Sequence, residues 1–85
     1  MTVYLAYSAE GIDPLADGPW EEIVPLDESL AFVASPHQRS AVYHALKDAL
    51  PSGAALFVAE LAEVPKFKGM ESGTLAWARH AFGDG

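Results

Sequence analysis

Apolar positions change their rhythm several times along this chain, and each change marks an element. Residues 2–8 (Thr-Val-Tyr-Leu-Ala-Tyr-Ser) are apolar on both alternating faces and rich in β-branched and aromatic side chains. That pattern predicts a central strand. From Glu10 to Pro19 the periodicity is broken by Gly11, Asp13-Pro14 and Asp17-Gly18-Pro19, which predicts a loop with at most one short helical turn. Residues 20–25 (Trp-Glu-Glu-Ile-Val-Pro) suit an edge strand that Pro25 ends. Leu26 to Ser29 turns the chain, and Leu30 to Ala34 is apolar throughout, so the two runs predict a β-hairpin.

The period then becomes helical. Ser35-Pro36 with Gln38 three residues after the serine has the form of a capping box with proline at the first helical position. Val42, Ala45, Leu46, Ala49 and Leu50 follow as one apolar stripe, and Pro51-Ser52-Gly53 stops it. Ala54 to Leu61 reads as a last strand, apolar on both faces, and residues 62–71 as a loop. Ser72 is placed to cap a final helix carrying Leu75, Ala78 and Phe82 on one side, with Trp77 and Ala81 nearby. Arg79 and His80 occupy its last turn, where the helix dipole favours cations, and Gly83 is its terminator.

Strand, loop, hairpin, helix, strand, helix is an α+β order. It predicts a small ferredoxin-like-derived sheet of about four strands with two helices, one after the hairpin and one C-terminal. The first helix of that arrangement is reduced to a loop. A strand of about six residues spans ~20 Å, which roughly ten loop residues can retrace. Part of one sheet face then loses its cover, and Trp20, the C-terminal helix or a partner chain is expected to supply it. The 85 residues suit a single domain, 1–85.

Several segments together resemble the small ferredoxin-like proteins related to the CRISPR-associated adaptation nuclease subunit. These are the opening Tyr4-Leu5-Ala6-Tyr7, then Trp20 with Glu28-Ser29-Leu30-Ala31-Phe32-Val33, then Ala45-Leu46-Lys47 with Leu50. Leu56-Phe57-Val58-Ala59-Glu60-Leu61 and the closing Ala76-Trp77-Ala78-Arg79 complete the set. The resemblance implies the fold and a homodimer. Such proteins carry an aspartate at the end of the first strand, where a dimer brings two together around a metal. Ser8, with Ala9 beside it, stands there in this chain, so no nuclease activity carries over.

Charge sharpens this picture. The net charge is −7, and residues 1–35 account for all of it. Their acids are Glu10, Asp13, Asp17, Glu21, Glu22, Asp27 and Glu28, and no Lys or Arg precedes Arg39. A field of one sign repels nucleic acid and anionic membranes and attracts basic partners. No apolar run approaches the ~18 residues of a membrane span. The start reads as a strand rather than a signal peptide, and the absence of cysteine suits a reducing cytoplasm.

Candidate chemistry is sparse. Ser35 and Ser72 are accounted for as caps, and no nucleophile elbow surrounds Ser8. His37 and His44, seven residues apart, would share a helix face about 10 Å apart, too far for one ion. The adjacent acidic pairs Glu21-Glu22 and Asp27-Glu28 would point to opposite faces of a strand. Lys66-Phe67-Lys68-Gly69 reads as a loop anchored by Phe67. No catalytic residue, metal ligand or cofactor is therefore assigned. The expected function is a non-enzymatic acidic interaction protein, a nucleic-acid-mimicking inhibitor of anti-CRISPR or antirestriction type. Its seven N-terminal acids would dock on a basic protein surface or nucleic-acid-binding complex, without binding nucleic acid or membrane directly. The alternative is a small dimeric protein of the adaptation-subunit kind lacking the catalytic aspartate, and a ferredoxin-like isomerase is a third.

Overall fold

A computed structural model describes residues 1–83. It contains β1 (Thr2–Tyr7), β2 (Glu22–Pro25), β3 (Leu30–Ser35), α1 (Arg39–Ala49), β4 (Phe57–Glu60) and α2 (Thr74–Ala81). The four strands form one sheet in the order β2-β3-β1-β4, with every neighbouring pair antiparallel. The fold is thus a small α+β arrangement of a four-stranded antiparallel sheet and two helices.

Alternation along the strands sends side chains to two faces, and each face has its own core. Tyr4 and Ala6 of β1, Ala31 and Val33 of β3 and Ile23 of β2 pack with Val42 and Leu46 of α1. On the opposite face, Val3 and Phe32 pack with Leu26 and with Ala78 of α2. Phe32 is fully buried there, stacked on Trp77 at 5.4 Å between ring centroids and met edge-on by Phe67 at 5.8 Å. Phe67 anchors its loop, as its place among lysines suggests.

The helices therefore lie on opposite faces, and α2 does not cover the gap left beside α1. The loop between β1 and β2 fills that gap itself. Ile12, Ala16 and Trp20 recur at every fourth residue and all pack against the α1-side core. Pro14, Gly18 and Pro19 prevent a helix over this stretch, so the chain keeps the spacing of an apolar helix face without the helix. The indole N–H of Trp20 donates to the Ala16 carbonyl at 2.9 Å, which holds the ring across the loop. A Cβ at Gly18 would overlap the Trp20 ring, so only glycine leaves room for it.

Several boundaries differ from those the sequence predicts. Trp20 is not in β2, because its side chain turns inward and the strand starts at Glu22. Ser35 is not a helix cap. Pairing with Thr2 extends β3 through it, its hydroxyl donates to the Pro19 carbonyl and its Oγ accepts the His37 N–H at 3.0 Å. The helix begins only at Arg39, with Gln38 at the cap position. β4 spans four residues rather than eight and is an edge strand, with Phe57 58% exposed. In α2, Gly73 rather than Ser72 precedes the helix, while the Thr74 hydroxyl donates to the Glu71 carbonyl at 2.7 Å. Thr74 and Ala78 form its buried stripe, whereas Leu75 faces outward. Gly83 follows the helix end and its N–H donates to the His80 carbonyl, as expected of a terminator.

Candidate functional site

All seven N-terminal acids are exposed, but they do not form one patch. Local turns and strand contacts place most of them. At the end of β1, Ser8 is fully buried; its N–H donates to Ser29, and its Oγ accepts the Glu10 N–H at 3.3 Å. The Gly11 N–H returns to the Ser8 carbonyl at 2.9 Å, closing a tight turn that projects Glu10 outward. Gly11 has φ of 89°, and its Cα passes the Glu28 carbonyl so closely that a Cβ would lie 3.2 Å from it. A side chain there would be strained on both counts.

Asp13 accepts the Leu15 N–H at 2.9 Å through Oδ1, an Asx turn that leaves its other oxygen outward. Asp27 does the same for Ser29 at 2.8 Å in the β2–β3 turn. These turns bring residues distant in sequence to one end of the sheet. Glu10, Asp13 and Glu28 border an open groove of about 360 Å³ whose walls include Ile12, Leu46 and Leu50. The groove runs between the β1–β2 loop and the C-terminal end of α1.

Glu21 and Glu22 lie at the other end of β2. The Glu21 N–H donates to the Ala34 carbonyl at 2.8 Å, and Glu22 starts the strand opposite Ala34. Glu22 faces the α2 side, where one of its carboxylate oxygens accepts the Trp77 indole N–H at 3.0 Å. It is a contact between β2 and α2 as well as a surface charge. Asp17 is exposed on the segment that carries the chain from the groove back to β2.

Elsewhere, the His37 and His44 pair does not share a helix. His37 precedes α1, and its carbonyl accepts the Tyr4 hydroxyl at 2.6 Å. His44 lies on α1 with its ring edge-on to Tyr43 at 5.2 Å. Among the described residues, no three His, Asp or Glu side chains converge in a geometry able to hold a metal ion. The Ser8 and Ser35 hydroxyls are buried and engaged with backbone groups. No helix among the described residues is long and apolar enough to cross a membrane.

Sequence reasoning finds the acids but not the groove. Leu46 and Leu50 read only as core stripe, and Ile12 as a loop residue. The fourfold spacing of Ile12, Ala16 and Trp20 is the signal that places this loop against α1. Nothing local marks the exposure of Phe57 or Leu75.

Comparison with protein-family models, with curated proteins and with solved structures finds no match to this chain.

Proposed function

We propose that the protein is a non-enzymatic interaction module whose acidic end docks on the basic face of a nucleic-acid-binding protein, as a nucleic-acid-mimicking inhibitor. The observation that carries this reading is Glu10, Asp13 and Glu28 around an apolar-walled groove, on a segment with no Lys or Arg before Arg39. Three carboxylates at the rim recognise Lys and Arg side chains. The Ile12, Leu46 and Leu50 walls receive the aliphatic stems that carry those charges. A second acidic group, Glu21 and Glu22, stands about 10–15 Å further along β2, given ~3.4 Å per residue. Glu22 turns to the α2 face, so the two groups together offer only widely spaced anions, a coarse counterpart of a phosphate backbone that carries one charge per ~1.7 Å of duplex axis. An inhibitor of antirestriction or anti-CRISPR type would use such a surface. Affinity capture from host extract, followed by elution with duplex DNA, tests this reading. The captured partner must be a nucleic-acid-binding protein, DNA must displace it, and Glu10→Lys/Asp13→Lys/Glu28→Lys must fail to capture it. Capture that survives either DNA or the triple substitution refutes mimicry.

One observation favours homodimerisation as a second reading. The Leu61 N–H donates to the Val3 carbonyl at 3.0 Å, so in the β1–β4 register residues 57, 59 and 61 direct their backbone groups toward β1. Val58 and Glu60 then direct theirs outward from the sheet edge. The opposite edge, β2, is blunted by Glu22 and Pro25, whereas β4 carries only Glu60 as a guard. Two β4 strands would pair antiparallel, Val58 against Glu60 of the second copy, with Phe57 and Tyr7 beside the junction.

A further inference from the structure

On the sheet face opposite the acidic groove, α2 and the loop before it border a second, open cleft of about 570 Å³. Val64, Pro65, Phe67 and Leu75 give it an apolar lining, and Lys66 and Arg79 are its cations. Glu63 is its single anion, so the lining carries one net positive charge on a protein of net charge −7. Leu75 explains little as a core residue. It is 36% exposed on a helix whose buried residues are Thr74 and Ala78, and its outward side chain forms part of this cleft.

We infer that this cleft binds a small amphipathic monocarboxylate, with its apolar body on Phe67 and Leu75 and its carboxylate on Arg79 and Lys66. The volume lies within the ~300–1,000 Å³ of ligand pockets. Arginine offers a planar fork of donors that matches a carboxylate, and lysine adds a point charge. One net positive charge balances one carboxylate. A polyanion such as nucleic acid would meet the surrounding negative field instead. This site is separate from the acidic groove and does not depend on what docks there.

Titration of the full chain with decanoate below its micellar concentration, followed by backbone amide NMR, tests the inference. Saturable shifts confined to residues 62–68 and 74–80 are expected. Arg79→Gln should weaken binding about tenfold or more, as loss of a charge-assisted hydrogen bond does. Lys66→Gln should weaken it in the same direction, and it lies in the loop should the helix variant lose structure. Lys47→Gln, on α1, should change nothing. Decanol, which lacks the charge, should bind at least tenfold more weakly than decanoate. Non-saturable shifts, binding at micellar concentration only, equal affinity for decanol, or full affinity in both Arg79→Gln and Lys66→Gln would each overturn it.

Discussion

The indole N–H of Trp77 donates to a carboxylate oxygen of Glu22 at 3.0 Å, joining α2 to the first residue of the edge strand β2 across 55 positions of sequence. Trp77 also stacks on Phe32, so the same ring is fixed by a buried aromatic on one side and a surface acid on its edge. Glu22→Ala should cost about 1 kcal/mol, the usual net worth of such a hydrogen bond. Glu22→Gln retains an acceptor and should cost less. Urea denaturation of both variants measures this, and equal stability of Glu22→Ala and the parent would deny the bond any role in holding α2.

Phe32 is the centre of the α2-side core, between Phe67 and Trp77. Phe32→Ala should destabilise the fold by roughly 3–5 kcal/mol, since it removes a fully buried aromatic and leaves a cavity. A domain this small has a total stability near the lower end of ~5–15 kcal/mol. The variant is therefore expected to be largely unfolded by far-UV circular dichroism at 37 °C, while Phe32→Leu should fold with reduced stability.

Gly18 and Trp20 form a coupled pair. Gly18→Ala should cost on the order of 1–3 kcal/mol, because the new methyl overlaps the indole and must displace it from the core. Trp20→Ala alone should cost about 2–4 kcal/mol. Adding Gly18→Ala to Trp20→Ala should cost little more, giving a coupling energy above about 1 kcal/mol in a double-mutant cycle. Additive effects would mean that the ring does not lie over Gly18.

If β4 pairs with a second copy, Val58→Pro removes an outward N–H at a sheet edge that tolerates the substitution. Sedimentation velocity should then show a dimer for the parent and a monomer of retained secondary structure for Val58→Pro. A parent that is monomeric at millimolar concentration removes the dimeric reading.

Much of the architecture was legible in the pattern of apolar positions. The β1 and β3 runs, Pro25 at the end of β2, the Val42–Leu46 stripe and Gly83 after α2 were all readable, because each depends on neighbours within a turn or a strand. Failures came where a distant partner decided the outcome. Ser35 has the sequence of a cap, but Thr2 draws it into β3 and Pro19 takes its hydroxyl. Leu75 has the spacing of a core residue, but α2 settles with Thr74 and Ala78 inward. The acids were visible as a charge imbalance. Their division into a groove group around Glu10, Asp13 and Glu28 and a β2 group around Glu21 and Glu22 came from the Gly11 turn and the hairpin, which bring residues 10 and 28 together.

Docking through the acidic groove can be tested against the β2 acids directly. The measurement is affinity for the captured nucleic-acid-binding partner between 50 and 200 mM salt (about the range over which electrostatic binding changes most), for the parent, Glu10→Lys/Asp13→Lys/Glu28→Lys and Glu21→Lys. The parent should bind with an affinity that falls steeply with salt. The triple variant should not bind at any salt, and Glu21→Lys should bind with partial loss and a shallower slope. Salt-independent binding by the parent, or binding by the folded triple variant equal to that of the parent, would contradict the proposed role of the groove.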